Sequence, residues 1–241
     1  MERAVYDHMA QEDMRHPWYL GRRRVLAAVI ARLGLPENAR ILEVGCGTGH
    51  NLAMLGRFGT VSAVEIDDAS RALASERLGR PVIAAPLPEL AGVERNAFDL
   101  VALLDVLEHL ADDRAALTTL AQCLRPGGRL LVTVPAHPWL WSAHDEANHH
   151  LRRYTRATLR AAVSDSGLTL DRLTWFNSVL FPLAAAARLF GKASGQAMTG
   201  DTLPRPFPWL LEEAFAAERY VIGRVPLPPG LSLLAVISRA G

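Results

Sequence analysis

Residues 39–52 read ARILEVGCGTGHNL, and they pass from a short apolar run through a glycine turn into the start of a helix. Ile41, Leu42 and Val44 form the β-prone run, and Gly45-Cys46-Gly47-Thr48-Gly49 follows at once. Glycines remove the Cβ atoms that would hold a ligand away from the backbone, and a helix N-terminus presents free N–H groups. This stretch therefore predicts the binding of a small polar ligand.

The spacing of the glycines narrows the choice of ligand. A dinucleotide-binding turn needs G-x-G-x-x-G, and the sixth position counted from Gly45 is His50. No Gly-Lys-Ser/Thr follows, which excludes a P-loop. The remaining pattern, E-x-G-x-G-x-G starting at Glu43, resembles the first motif of class I S-adenosylmethionine-dependent methyltransferases. The alternative is that the glycines only make a tight turn between strand and helix.

A second strand, TVSAVE, runs from Thr60 and ends in the carboxylate of Glu65. Glu65 lies 20 residues beyond Gly45, the separation at which an acidic residue accepts hydrogen bonds from ribose hydroxyls in α/β nucleotide sites. The alternative is a loop carboxylate without a ligand. Asp67 is predicted to cap a helix over 69–78.

The next two predicted strands differ in how closely they match the family. Residues 81–85, PVIAA, predict a third strand, but Pro86-Leu87-Pro88 stands where many family members have the Gly-Asp pair that holds adenine. No adenine-contacting residue can be named there. Residues 96–110, NAFDLVALLDVLEHL, closely resemble the fourth-strand pattern, which implies that residues near Asp105 line the cleft between cofactor and acceptor.

The order of elements predicts the fold. Five strands that alternate with helices indicate a parallel, doubly wound α/β sheet. The resemblance implies two further antiparallel strands, Leu168–Phe176 and Leu231–Ser238, which would complete a seven-stranded Rossmann-like sheet. We expect one domain over 1–241. Its predicted parts are a helical cap (1–36), a cofactor-binding core (37–176) and a helical insertion before the last strand (177–230).

The resemblance also implies a cofactor, S-adenosylmethionine, and the residues around it. The predicted cofactor-binding residues are Glu43, Gly45, Cys46, Gly47, Gly49, Glu65, Ile66 and Asp105.

The composition limits which binding partners and which cellular compartment are expected for this protein. The chain has 241 residues, half of them hydrophobic, and 26 basic against 25 acidic residues, so no strong field would attract nucleic acid. Two cysteines, Cys46 and Cys123, without a C-x-x-C, fit a reducing compartment. The polar N-terminus lacks a signal peptide, and the apolar stretch 179–187 is too short for a membrane span. We expect a cytoplasmic protein, with Arg22, Arg23 and Arg24 on a solvated face.

The acceptor side is predicted to be the loop 135–155, PAHPWLWSAHDEANHHLRRYT, which leaves the carboxyl end of a strand. Its Asp-x-x-x-x-His-x-Arg-Arg-Tyr-Thr pattern, from Asp145 to Thr155, resembles a signature in a subgroup of bacterial methyltransferases. Methyl transfer to an oxygen or protonated nitrogen requires loss of a proton, which an imidazole can accept near neutral pH. The predicted catalytic residues are His150, His149 and Asp145.

Two other interpretations of the loop remain open. His137, His144, His149, His150 and Asp145 could bind a divalent metal, although no rigid spacing supports this and no metal is predicted. The polar residues could also do no more than hydrogen-bond a long loop into place.

The predicted function is S-adenosylmethionine-dependent methyl transfer to a small-molecule acceptor. The alternatives are a nicotinamide-dependent oxidoreductase, which His50 argues against, and a cofactor-binding protein without turnover. The apolar insertion is an acceptor lid or the surface of a homodimer, and the sequence favours neither.

Overall fold

The computed structural model describes residues 10–186 and 208–239 and is built around a six-stranded sheet. The strands are β1 (Arg40–Val44), β2 (Thr60–Val64), β3 (Phe98–Leu104), β4 (Leu124–Pro135), β5 (Leu168–Phe176) and β6 (Ser232–Arg239). Their order is β2-β1-β3-β4-β6-β5. The first four strands are parallel, and β6 is antiparallel to both neighbours. This confirms the predicted doubly wound fold with an antiparallel C-terminal pair.

Helices cover both faces of the sheet. They are α1 (Pro17–Ile30), α2 (Leu52–Leu55), α3 (Asp68–Leu78), α4 (Asp113–Cys123), α5 (Ala143–Ala147), α6 (Arg156–Asp165) and α7 (Pro208–Ala216). Residues 10–12 and 181–186 are also helical, and short 3-10 turns span Leu107–His109, Pro138–Leu140 and Ala217–Tyr220. Within the described ranges, no helix combines the length and apolar character needed to cross a bilayer.

The buried centre of the fold is β3, all of whose residues are inaccessible to solvent. Leu100 and Ala102 point into the core that contains residues of α1 and α7. Val101 and Leu103, which alternate with them, point into the core that contains residues of α4 and α6. A strand covered on both faces is typical of a parallel sheet between two helical layers.

The predicted third strand is reduced to one bridge. Ile83 pairs in parallel with Val64 on the outer edge of β2, and its carbonyl accepts from the backbone N–H of Glu65 at 3.0 Å. Pro81 and Pro86 bracket this segment, and proline has no N–H to donate to a ladder. The described sheet therefore has six strands and a bridge instead of the seven strands predicted.

The glycine turn leads into a helix, as the sequence predicts, but that helix spans only Leu52–Leu55, because Gly49 has a φ of +82° and still belongs to the turn. The segment with Glu108 and His109 after β3 is a 3-10 turn. Asp67 caps α3 as predicted, since its carboxylate accepts from the backbone N–H of Ser70 at 2.9 Å.

The C-terminal insertion packs against the N-terminal helix. A Cβ added at Gly21 of α1 would lie 2.9 Å from a ring carbon of Phe215, which is buried in α7, so only glycine permits this approach. Trp209 and Leu210 of the same helix are exposed. Leu189, Phe190 and Phe207 lie outside the described residues. Whether the insertion is a lid or a dimer surface stays a prediction, as do the boundaries of the cap, core and insertion.

Candidate functional site

The glycine turn follows β1 and forms one wall of the site. Gly45, Gly47 and Gly49 all have positive φ angles, of 70°, 55° and 82°. A Cβ at Gly45 would come within 2.6 Å of Val106, whereas no atom of the described residues lies within 4 Å of the Cβ position at Gly47. Gly45 is therefore required by packing, and Gly47 leaves backbone next to an open space that a ligand can enter.

Glu43 lies buried beneath this turn. Its Oε1 accepts from the side-chain amide of Asn51 at 2.8 Å, while Oε2 is buried and accepts no hydrogen bond from the part of the chain that the structure describes. Burial raises the pKa of Glu43 to about 7, against the opposing effects of the Asn51 bond and of Arg22. A buried carboxylate oxygen without a donor is suited to a ligand N–H, so Glu43 fits a cofactor with an amino group.

Glu65 ties the turn to the end of β2. Its two carboxylate oxygens accept from the backbone N–H groups of Gly47, at 2.7 Å, and Asp67, at 2.9 Å. Each oxygen can accept a second bond, so binding to ribose hydroxyls remains a prediction. Ile66, beside it, is exposed at the rim, and Cys46 is buried.

Asp105 stands at the end of β3 with a positive φ of 58°. Arg22 of α1 donates from Nη2 to Asp105 Oδ2 at 2.5 Å and to the hydroxyl of Thr133 at 3.1 Å. The expectation of a solvated face was wrong for Arg22, which is only 2% exposed. It follows the helical period of buried Val25 and Val29, and that spacing was the signal that could have revealed it.

A second ion pair that the sequence did not reveal anchors the chain before α1. Asp13 is fully buried and accepts from the hydroxyl of Thr48 in the glycine turn. Both terminal nitrogens of Arg77 in α3 donate to the same carboxylate, at 2.8 and 3.2 Å. The N-terminal segment is thereby held against the glycine turn.

His50 closes the apolar side of the turn. Within residues 10–186 and 208–239 neither ring nitrogen has a hydrogen-bond partner, and the Tyr19 ring meets the imidazole edge-on with centroids 5.1 Å apart. Burial, with Arg22 next, holds the pKa of His50 well below its usual range, so this imidazole is neutral.

The acceptor loop is organised by Asp145, which is fully buried. His150 Nδ1 lies 2.9 Å from Asp145 Oδ1, and Arg153 Nε donates to the same oxygen at 2.7 Å. Burial works against ionisation, but the bonds from His150 and Arg153 hold the pKa of Asp145 below its usual range. The structure thus brings His150 and Asp145 together. His149 is not part of this pair, because its backbone is left-handed and its side chain is exposed.

The rest of the signature secures the loop at its far end. The Tyr154 hydroxyl donates to Asp113 at 2.8 Å, and Arg152 donates to the same oxygen at 3.2 Å. Thr155 caps α6, as its hydroxyl accepts from the backbone N–H of Thr158. His137 points elsewhere and stacks on Trp175 with ring centroids 4.7 Å apart. These residues therefore have structural contacts in the loop.

Glu108 and His109, from the turn after β3, complete the site beside His150. The carboxylate of Glu108 is fully buried, and neither oxygen has a hydrogen-bond partner among the described residues. Burial, together with the nearby charge of Asp105, raises its pKa well above the usual range. The rings of His109 and His150 meet edge-on, with centroids 4.8 Å apart. Neither Glu108 nor His109 is among the catalytic residues predicted from the sequence.

Comparisons with known proteins agree with this geometry. A family model described as a methyltransferase domain matches residues 19–173. The chain is 28% identical to the trans-aconitate 2-methyltransferase of Azoarcus sp. (strain BH72), over 73% of this chain and 69% of that protein. It is 29% identical to the ubiquinone biosynthesis O-methyltransferase of Xanthomonas axonopodis pv. citri (strain 306), over 61% of this chain and 69% of that protein.

A solved structure shows the same fold. The TehB-like SAM-dependent methyltransferase from Corynebacterium glutamicum superposes with a TM-score of 0.59 at 17% identity, covering 99% of this chain and 100% of that one. The glycine turn after β1, the open space at Gly47 and the family match over 19–173 lead to one conclusion. This chain belongs to the class I S-adenosylmethionine-dependent methyltransferases.

Proposed function

We propose that this protein methylates an ionisable oxygen, or a nitrogen that must lose a proton, on a small-molecule acceptor. The two curated relatives described above are named for trans-aconitate and for ubiquinone biosynthesis, and these names support a small-molecule acceptor. S-Adenosylmethionine supplies an electrophilic methyl group, and the protein's own residues bind it, orient the acceptor and manage the acceptor's proton.

The cofactor is proposed to lie against the glycine turn. The partnerless Oε2 of Glu43 would accept from its amino group, and the backbone at Gly47 leaves room for it. Each carboxylate oxygen of Glu65 already accepts one backbone hydrogen bond, from Gly47 or from Asp67. The remaining lone pairs of Glu65 would accept hydrogen bonds from the ribose hydroxyls of the cofactor. Asp105, 30% exposed and held by Arg22, would border the transferred methyl group.

The observation that carries the proposed mechanism is the His150–Asp145 pair. Asp145 accepts at His150 Nδ1, which leaves the lone pair of Nε2 free on the side of Glu108. The rings of His150 and His109 meet with centroids 4.8 Å apart, and His109 lies in the turn that follows Asp105, which supports a position of this pair near the predicted methyl-transfer site. In the simplest form of the mechanism, His150 Nε2 accepts the acceptor's proton as a general base, and Asp145 keeps the imidazole in the required orientation.

The test compares His150→Ala with Glu146→Ala, a change at an exposed residue of α5, the helix just before His150. Turnover would be screened on phenols, catechols and polycarboxylic acids, with S-adenosylhomocysteine affinity measured by calorimetry. We expect His150→Ala to lose about 10²–10⁴-fold in turnover while its cofactor affinity stays unchanged. Loss of cofactor affinity along with turnover would assign His150 to structure. Cofactor binding with no methylated product from any acceptor would favour the alternative of a catalytically silent binding protein.

A further inference from the structure

Three potential metal ligands come together on the acceptor side of the site. One donor atom each from Glu108, His109 and His150 lies within 4.8 Å of the other two. This differs from the metal set considered from the sequence, because His137 stacks on Trp175 and Asp145 is already held by Arg153. The ligands come from the turn after β3 and from the acceptor loop, which only the fold brings together.

The carboxylate of Glu108 gives independent evidence that this cluster binds a cation. Its carboxylate is completely buried, and neither oxygen accepts a hydrogen bond from residues 10–186 or 208–239. Buried carboxylates are normally hydrogen-bonded or paired with a cation, because a bare one is strongly disfavoured. The backbone carbonyl of Glu108 accepts a hydrogen bond from the N–H of Leu151 at 2.8 Å, and this bond fixes the position of the residue. An ion between Glu108 and the two imidazoles would satisfy this carboxylate.

His150 is oriented as metal-binding histidines usually are. Asp145 Oδ1 lies 2.9 Å from Nδ1, and Nε2 lies 3.9 Å from Glu108 Oε1, too far for a direct hydrogen bond. A histidine that binds a metal through one nitrogen typically donates from the other to a carboxylate or a carbonyl. Asp145 is the carboxylate in that position, and Arg153 and Ser142 fix it in turn.

His109 completes the cluster from the turn after β3. Its ring meets that of His150 edge-on, with centroids 4.8 Å apart, and one of its ring nitrogens lies within 4.8 Å of the donor atoms of Glu108 and His150. A neutral imidazole offers the lone pair that a metal ligand needs.

We propose that Glu108, His109 and His150 bind a divalent transition-metal ion, with Zn²⁺, Mn²⁺ or Co²⁺ preferred over Mg²⁺. Two imidazoles and one carboxylate are ligands for such ions, whereas Mg²⁺ and Ca²⁺ prefer oxygen ligands. Three protein ligands leave a coordination position for a further oxygen. The nearby charge of Asp105 adds to the attraction for a cation.

This inference rests on the proposed function and specifies how the acceptor is activated. An ion bound at Nε2 of His150 would take the place of the general base and hold the acceptor oxygen directly. The acceptor's O–H bond would break with its proton released to water, because coordination lowers the pKa of a bound hydroxyl. That oxygen then forms the bond to the methyl carbon as the carbon–sulfur bond of the sulfonium breaks.

The test is direct metal binding by tag-free protein, without any acceptor. Chelator-treated protein would be titrated by calorimetry with Co²⁺, Zn²⁺, Mn²⁺ and Mg²⁺, and the visible absorption of the Co²⁺ complex would report nitrogen ligation. We expect one ion per chain, with Mg²⁺ weakest. Glu108→Gln and His150→Ala should each weaken Co²⁺ binding at least about tenfold, and Asp145→Asn by about 10–100-fold. Glu146→Ala, at an exposed residue of the same loop that belongs to neither the cluster nor its supporting contacts, is the matched control and should bind as the wild type does.

Circular dichroism and S-adenosylhomocysteine binding of each variant would show that it is folded. Absence of metal binding in the wild type, or binding that Glu108→Gln and His150→Ala leave unchanged, would overturn the metal site. Retained S-adenosylhomocysteine binding in that case would leave the proposed methyl transfer intact. Loss of S-adenosylhomocysteine binding by a protein that still binds the ion would instead refute the proposed function.

Discussion

The guanidinium of Arg22 lies 2.5 Å from the carboxylate of Asp105, and it joins the helix before the sheet to the end of the central strand. Arg22 is almost fully buried, and a second bond to Thr133 links it to β4 as well. The N-terminal helix is thereby fixed to the edge of the sheet at which the cofactor is proposed to bind. Asp105 is held in its left-handed conformation by this contact and by its backbone bond to Thr133.

Arg22→Ala should therefore destabilise the protein. It leaves the carboxylate of Asp105 and the hydroxyl of Thr133 without their donor, and breaking a largely buried pair costs about 3 kcal/mol. Urea denaturation would measure the free energy of unfolding. Arg24→Ala is the matched control, because Arg24 is 34% exposed and its partner Glu213 is exposed as well, and solvent-exposed ion pairs contribute little to stability. Equal losses in the two variants would contradict a structural role for the Arg22–Asp105 pair.

Glu65→Ala should weaken S-adenosylhomocysteine binding by about tenfold or more, because charge-assisted bonds to ribose contribute about 1.5–3 kcal/mol. The same change should lower stability, since Gly47 and Asp67 both lose an acceptor. Calorimetry and thermal melting would separate the two effects. Asp68→Ala, at an exposed carboxylate three residues along, should change neither by much. Unchanged affinity in Glu65→Ala would show that the ribose lies elsewhere.

Glu43 should make the stability of the cofactor-free protein depend on pH. Burial raises its pKa in the folded state to about 7 from an ordinary value of 4.5, so the folded chain holds a proton that the unfolded chain has released. The stability present below pH 4.5 is therefore lost as the pH rises toward 7, by up to roughly 3 kcal/mol.

Glu43→Gln removes this ionisation while keeping an oxygen for Asn51. We expect the variant to gain stability relative to the wild type between pH 5 and 8, as measured by denaturation at several pH values. A difference between the two proteins that stays constant over this range would refute the assigned pKa.

The glycine turn should respond differently at Gly45 and Gly47. Alanine at either position has an unfavourable positive φ, costing about 1–2 kcal/mol. At Gly45 the new methyl group would also lie 2.6 Å from Val106, adding about 1–3 kcal/mol of overpacking. We expect Gly45→Ala to be the less stable of the two variants. We expect Gly47→Ala to show the larger loss of cofactor affinity for a given loss of stability. Calorimetry and chemical denaturation of both variants would check this, and the reverse order would place the ligand elsewhere.

Much of the fold follows from local sequence. Apolar runs bordered on one side by glycine or acidic residues predicted four of the parallel strands, and Asp67 predicted its helix start, because strands and caps depend on nearby residues. The predicted third strand became a bridge at Ile83, since the prolines around it limit the hydrogen bonds that a ladder needs. The glycine turn was predictable for the same local reason.

The site beyond that turn depended on contacts between distant segments. The sequence by itself determined the doubly wound sheet, the Gly45–Gly49 turn and a histidine-rich acceptor loop, since periodicity, turn residues and spacing are local properties. The tertiary structure alone placed Arg22 on Asp105, Asp13 on Arg77, and Glu108 with His109 beside His150. The physical reason is that these side chains meet partners from far along the chain, and residue type does not reveal which partner the fold will supply.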